Sequence, residues 1–153
     1  MDMDLQHLHT VLENTFAANF VAYYRAHIAH INIQGRTFFQ DHKLLQKIYE
    51  SLQANIDTLG EKIRTCRAYA PDSLTTINGI SPLVDMPVGG DAVTMLEDVG
   101  SSLDVLIDIY KELYAAAEDA TYIDISNYAQ DQIGVLAKFR WMIESTLEER
   151  DRK

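Results

Sequence analysis

The chain has 153 residues, 47% of them apolar, which suits one globular domain with its own core. Its formal net charge of −10 argues against general nucleic-acid binding, because phosphates would repel such a surface. No apolar run is long enough to span a bilayer, and Arg25 is the only Lys or Arg among the first 30 residues, so we expect neither a membrane span nor a leader peptide. The single cysteine, Cys66, excludes an intrachain disulfide, and a cytoplasmic setting is expected.

Apolar residues recur every three or four positions in four long segments, which is the spacing of amphipathic helices. The segments are 5–30, 38–63, 95–113 and 128–147. Gly35 is a stop signal for the first helix, and Thr37 is a candidate cap for the second.

A stretch rich in proline and glycine, from about Ala70 to Asp91, separates the second helix from the third, with one short helical turn expected near Leu74–Ile77. A connection this long is typical of a crossover. The sequence therefore predicts an all-α fold, a four-helix bundle with ferritin-like wiring, as a single domain over 1–153 with frayed ends at about 1–4 and 149–153.

Two histidines flank the Gly35 turn, His30 five residues before it and His42 seven after it. On antiparallel neighbouring helices these positions lie at similar heights, so the two imidazoles can converge, and neutral imidazole is a good ligand for first-row metals. A cation that is to be oxidised also needs carboxylates. Asp57 and Glu61, one helical turn apart, are the obvious pair.

Helix geometry decides how these four groups can meet. Asp57 lies fifteen residues beyond His42 on the same helix, roughly 22 Å away at about 1.5 Å per residue, whereas a metal–ligand bond is about 2 Å long. The four groups therefore cannot share a metal within one subunit. They can do so if two copies of the helix pack antiparallel across a two-fold axis, which builds two identical sites.

These residues carry a resemblance to a known family. Residues 20–63, "FVAYYRAHIAHINIQGRTFFQDHKLLQKIYESLQANIDTLGEKI", resemble the Dps family, the mini-ferritins, and "FRWMIESTL" at 139–147 resembles its closing helix. The family pattern is a histidine, a second histidine twelve residues later, and Asp-x-x-x-Glu fifteen residues after that. His30, His42, Asp57 and Glu61 follow it throughout, and the likeness runs from about residue 10 to 148.

The resemblance implies a hollow shell of twelve subunits with dinuclear iron sites at its two-fold interfaces. His30 and His42 would come from one subunit, and Asp57 and Glu61 from its partner, as catalytic and metal-binding residues. The family oxidises ferrous iron, typically with hydrogen peroxide, and stores a ferric oxide core; zinc or manganese could substitute for iron. The resemblance also implies acidic three-fold pores for iron entry, with Asp119, Asp124 and Asp131 as candidates.

The chain departs from the family pattern at several positions. Ile31 stands where tryptophan is usual, and Gln46 stands where an acidic residue often follows the second histidine by one turn. These departures leave open a non-catalytic shell that binds zinc or another divalent metal. The lysine-rich N-terminal arm is missing, so DNA binding is expected to be weak or absent. A di-iron site within one subunit would need Glu-x-x-His, which occurs nowhere in the sequence.

Further polar side chains have weaker claims. His27 and Gln46 are expected to support the ligands rather than to bind metal. His7 and His9, with nearby acidic residues, form either an N-terminal metal site or part of a frayed end. Cys66 is expected to be a structural thiol, although Arg64 and Arg67 could lower its pKa.

Overall fold

Five helices make up the fold in the computed structural model, which describes residues 2–148 and 150. They are α1 (Met3–Asn32), α2 (Phe38–Thr65), α3 (Leu74–Ile80), α4 (Ala92–Asp119) and α5 (Ile123–Leu147). The four long helices and the crossover that carries α3 confirm the predicted bundle, and no strand occurs within the described residues. None of the described helices is long and apolar enough to cross a membrane.

The first helix lies at the centre of the bundle, where it packs against α2, α4 and α3. The predicted apolar stripe is buried, with Leu8 and Leu12 fully inaccessible. A second stripe of small side chains is also buried, and it consists of Ala17, Ala18, Ala22, Ala26 and Ala29. Because alanine has no side chain beyond Cβ, neighbouring helices can approach α1 closely on more than one side.

The turn between α1 and α2 sets the height at which the two helices face each other. The first helix ends at Asn32, and Gly35 adopts φ +120°, a conformation that favours glycine. Thr37 occupies the N-cap position of α2 as expected, but its side chain accepts no backbone N–H there. Its hydroxyl instead donates to Asp41 Oδ2 at 2.9 Å. The prediction for Thr37 was therefore right in position and wrong in the bond that it makes.

The crossover contains a longer helix than the single turn expected from sequence. The Ser73 side chain accepts the Thr76 N–H at 3.1 Å and so caps α3, which continues to Ile80. Ile77 is buried, and α3 packs against α1. One apolar contact therefore anchors the middle of the long connection.

The turn between α4 and α5 is tighter than expected, and α5 begins at Ile123 rather than near Tyr128. Thr121 adopts φ +63°, and the Tyr122 N–H bonds the Ala117 carbonyl at 2.9 Å, which closes α4. Ile123 is exposed, so the first turn of α5 shows no apolar pattern in the sequence. The apolar pattern therefore indicates a start near Tyr128, although α5 begins at Ile123.

The ends of the chain bear on the expected fraying. The first helix begins at Met3, inside the stretch 1–4, and the Asp2 carboxylate accepts the Asp4 N–H at 3.1 Å as a cap. At the other end, Arg150 is the described residue of the stretch 149–153, and the others lie outside the described part of the chain.

Candidate metal centre

His30 and His42 come together across the α1–α2 corner, as the sequence predicted for these two side chains. Their rings stack with centroids 3.7 Å apart and planes inclined by 15°. Each ring also bonds the backbone of the other residue: His30 Nδ1 lies 2.8 Å from the His42 carbonyl oxygen, and His42 Nδ1 lies 2.7 Å from the His30 carbonyl oxygen. The two imidazoles are therefore held by a reciprocal pair of bonds between the helices.

These bonds also determine which nitrogen of each ring can bind a metal. A carbonyl oxygen only accepts hydrogen bonds, so Nδ1 must carry the proton in both rings. In the neutral imidazole, Nε2 then holds the lone pair. Metal-binding histidines in proteins are typically fixed in this way, because the second nitrogen donates to a carbonyl or carboxylate and orients the ring. His30 and His42 thus present two oriented Nε2 atoms as candidate ligands.

Aromatic side chains pack around the pair. Tyr49 stacks on His27 at 3.9 Å between centroids and contacts His30 at 5.0 Å. The Tyr23 hydroxyl lies 2.8 Å from His27 Nδ1. His27 therefore packs beside His30, with ring centroids 6.1 Å apart. The contribution of Tyr49 was missed, although its position seven residues after His42 places it on the same helical face.

Phe38 adds a further aromatic contact that the sequence did not assign to the site. Its ring stacks against His42 at 4.8 Å between centroids. The His42 ring thus contacts His30 on α1 and Phe38 on its own helix. Such packing restricts the rotamers of His42 and fixes the direction of its nitrogen.

Asp57 and Glu61 lie far from the histidines, at the other half of α2. Both are exposed and line a shallow cavity of about 540 Å³ with Phe16 and Gly60. The structure therefore brings the histidines together and leaves the carboxylates apart from them, as the roughly 22 Å helical separation requires. Within residues 2–148 and 150, no three His, Cys, Asp or Glu side chains form a group that could hold a metal ion.

The interior of the bundle does not provide a carboxylate site either. Among the described residues the buried carboxylate is Asp41, which pairs with Arg150. The polar network deeper inside is neutral: the Tyr128 hydroxyl donates to Asn55 Oδ1 at 2.9 Å, and Tyr110 lies 3.3 Å from Tyr128. Burial raises the pKa of Tyr128 to about 12, so this hydroxyl stays protonated at neutral pH.

Gln46 lies one turn after His42, and among the described residues no hydrogen bond joins its side chain to His30 or His42. Its amide Nε2 donates to Glu50 Oε1 at 2.9 Å. The side chain is only half exposed. The neutral amide of Gln46 therefore hydrogen-bonds to the Glu50 carboxylate, one turn farther along α2.

The candidate pore residues lie around the α4–α5 turn. Asp119 ends α4, Asp124 lies in the first turn of α5, and Asp131 follows two turns later. All three are exposed. Asp124 pairs with Lys62 Nζ at 3.6 Å, a contact that the sequence did not predict.

His9 and Cys66 join α1 to the end of α2, whereas His7 lies on the surface. His9 Nε2 donates to the Cys66 carbonyl at 2.7 Å and so ties α1 to the end of α2, while His7 is exposed. Within the described residues these histidines join no metal-binding group. Burial and the negative charge of Asp124 raise the pKa of the fully buried Cys66 thiol, which agrees with the expected structural thiol and not with the alternative that Arg64 and Arg67 lower its pKa.

Comparison with known proteins identifies the family of the chain. Residues 10–152 match the family model of the ferritin-like domain. A DNA protection during starvation protein from Brevibacillus brevis is 30% identical over 152 residues, which cover 97% of this chain and 100% of that protein. A protein of the same name from Helicobacter pylori is 27% identical over 150 residues, covering 90% of this chain and 96% of that one.

Solved structures share the fold over nearly the whole chain. A Dps protein from Bacillus brevis superposes with a TM-score of 0.91 at 22% identity, covering 96% of this chain and 99% of that one. A Dps protein from Vibrio cholerae O1, described as a member of a broad superfamily of ferritin-like diiron-carboxylate proteins, gives 0.88 at 26% identity, covering 94% and 91%. The chain therefore belongs to the Dps family of the ferritin-like superfamily.

Proposed function

We propose that this chain is a cytoplasmic ferroxidase and iron-storage protein that oxidises ferrous ions, preferably with hydrogen peroxide, and so limits oxidative damage. The observation that carries the proposal is the reciprocally bonded pair His30 and His42, which leaves two Nε2 lone pairs ready for a metal. Asp57 and Glu61, which lie on α2 with His42, supply the carboxylates. Membership of the Dps family supports iron storage and protection as the general role.

The proposed site forms between subunits. Two α2 helices packed antiparallel across a two-fold axis would place His42 of one subunit beside Asp57 and Glu61 of the other, since all three positions lie within about 100° on one helical face. The exposure of both carboxylates leaves them available to a partner subunit. The resemblance to the Dps family implies a shell of twelve subunits, in which six such axes would hold twelve sites.

The residues divide the chemistry between them. The neutral imidazoles of His30 and His42 bind the ferrous ion without adding charge, and the carboxylates of Asp57 and Glu61 favour the ferric product because they stabilise the higher charge. Two ferrous ions supply the two electrons that reduce one peroxide molecule to water. Tyr49, His27 and Phe38 hold the ligand rings while the charge at the site changes.

Iron would reach the shell interior through acidic pores. Asp119, Asp124 and Asp131 are exposed at the turn where α4 gives way to α5. In a three-fold arrangement, such carboxylates would attract cations by focusing negative potential at a narrow opening. This proposal rests on their exposure and on the family resemblance of the region.

Peroxide-dependent iron oxidation separates this function from a non-catalytic, zinc-binding shell. Ferrous ions added anaerobically and then treated with half an equivalent of peroxide should give ferric absorbance within seconds, and the iron should stay with the protein during gel filtration. A preparation loaded with zinc beforehand should be slower, because zinc occupies the same nitrogen and oxygen ligands. Oxidation no faster than in buffer would leave the zinc-binding shell as the better reading.

We expect weak or no DNA binding at physiological salt. The charge of −10 opposes association with phosphates, and the start of α1 is acidic because Asp2 caps it and Asp4 lies in its first turn. A gel-shift titration at about 150 mM salt measures this directly. A shift retained under these conditions and lost only at much higher salt would contradict the expectation.

A further inference from the structure

The guanidinium of Arg150 hydrogen-bonds to side chains at the start of α2. Its Nη2 donates to Asp41 Oδ1 at 3.0 Å, and its Nη1 donates to Asp41 Oδ2 at 3.1 Å. The Thr37 hydroxyl accepts a further bond from Nη2 and donates to Asp41 Oδ2 at 2.9 Å. Arg150, Asp41 and Thr37 thus form a closed three-residue network, which we name the C-terminal clamp.

The clamp is built as a buried charge pair. The Asp41 side chain is 1% exposed and the Arg150 side chain is 19% exposed. A carboxylate removed from water needs an opposite charge and hydrogen bonds to both oxygens, and the clamp supplies both. Among the five ion pairs found between described residues, this is the one whose carboxylate is buried.

The clamp joins parts of the chain that are far apart in sequence. Asp41 and Arg150 are separated by 109 residues, and Arg150 follows the end of α5 at Leu147. The α1–α2 pair and the α4–α5 pair are the two most extensive helix packings in the bundle. The clamp therefore ties one pair to the other at the end of the bundle that carries the Gly35 turn.

The residue after Asp41 is the metal ligand His42. Its carbonyl accepts from His30, and its Nδ1 donates to the His30 carbonyl, so both bonds depend on the height of this part of α2 against α1. The Asp41 N–H in turn bonds the Thr37 carbonyl at 3.0 Å. A shift of this turn by a fraction of an ångström would lengthen both bonds between the histidines.

From this arrangement we infer that Arg150 is a positioning residue for the metal centre, which acts through Asp41 to hold His42 in register with His30. The inference rests on the proposed function, since it assigns a partner to one of the proposed ligands. According to this inference, a side chain beyond the end of α5 helps to order the metal centre. Metal affinity should therefore depend on a side chain that touches no metal.

The test uses cobalt(II) as the probe, bound to the assembled protein in the absence of iron and followed by its visible absorbance and by equilibrium dialysis. Arg150→Met keeps an unbranched apolar side chain and removes both the charge and the donors. Arg150→Lys restores a charge without the two-pronged geometry. Arg140→Met is the matched control, because Arg140 on α5 bonds Asp104 Oδ1 at 3.0 Å but that carboxylate is 53% exposed.

Arg150→Met should weaken cobalt binding about tenfold or more, the usual cost of losing a group that orients a ligand. Arg150→Lys should fall between this variant and the wild type, and Arg140→Met should bind like the wild type. Wild-type affinity in Arg150→Met would overturn the inference, even if its melting temperature were lower, because the clamp would then be structural only.

A double variant covers the case in which Arg150→Met does not assemble. Asp41→Asn with Arg150→Met leaves no unpaired buried charge and keeps an acceptor for Thr37, but it has no clamp. It should also bind cobalt more weakly, and recovery of wild-type affinity would overturn the inference. His42→Ala shows whether cobalt binds at the proposed site. If the wild type and His42→Ala bind cobalt equally, both the proposed function and the inference are wrong. If cobalt affinity falls in His42→Ala but not in Arg150→Met, the inference alone is wrong.

Discussion

Mixed shells assembled from two inactive variants should recover about a quarter of the wild-type rate of iron oxidation. His42→Ala breaks every site when present in all subunits, and so does the double change of Asp57 and Glu61 to Ala. In a dimer that contains one chain of each kind, one site carries both lesions and the other carries none. Random pairing makes about half of the dimers mixed, and half of the sites in these are intact, which gives roughly a quarter by isologous symmetry.

The measurement is peroxide-driven ferrous oxidation in co-refolded shells, with mixing confirmed by mass spectrometry and size by light scattering. Each parent variant should be close to the background rate, and each should have the size expected for about twelve chains of 17.4 kDa. Rates that stay at background despite confirmed mixing would rule out a site shared between two subunits. A species of 17.4 kDa, a monomer, would also rule out a shared site.

Much of the bundle could be predicted because its signals are local. The apolar period of α2, with Leu45, Leu52 and Leu59 all fully buried, marks one face of one helix over its whole length. The proline-rich and glycine-rich stretch marks the crossover equally clearly. The bounds of α5 were less predictable, since its first turn presents the exposed Ile123 and depends on the left-handed Thr121.

The site was predictable to the extent that spacing along a helix fixes distance. The roughly 22 Å between His42 and Asp57 follows from helical rise alone, so a metal site that uses both residues would need a second subunit. The reciprocal bonds of the histidines to each other's carbonyls had no such signal. They depend on how far α1 and α2 are displaced along each other, which is set by the Gly35 turn and by packing.

The C-terminal clamp was beyond prediction for a different reason. Asp41 read as an ordinary acidic residue in the first turn of a helix, where the backbone favours negative charge. Arg150 lies in a short segment of mixed charge that looks like a solvated tail. Only the fold reveals that the two are paired and that the carboxylate is buried, because a contact across 109 residues leaves no local pattern.

Gln46→Glu should make the second metal ion bind about tenfold more tightly than it does in the wild type. Gln46 lies one turn after His42 and is half exposed, and its amide bonds Glu50 at 2.9 Å. The exchange keeps the shape of the side chain and adds one negative charge. Two unit charges about 4 Å apart attract by about 4 kcal/mol at an effective dielectric near 20. Solvent at a half-exposed position reduces this gain, so we expect roughly 1.4 kcal/mol, which is the tenfold change.

The same variant should lose a little stability when no metal is bound. Glutamates at positions 46 and 50 would repel each other across one helical turn by about 0.2–0.5 kcal/mol, where the wild type has a hydrogen bond instead. A cation between them removes this repulsion, so the melting temperature should rise more on adding metal than it does for the wild type. Anaerobic calorimetric titration with cobalt(II) gives both the stoichiometry and the affinity of the second ion.

Gln6→Glu is the matched control for the change in net charge. It adds the same charge to the first turn of α1, about 36 Å from His30 along that helix. This variant should have the same affinity for the second ion as the wild type. Equal tightening in both variants would mean that the overall charge of the shell governs binding. No tightening in Gln46→Glu would mean that position 46 does not face the second ion.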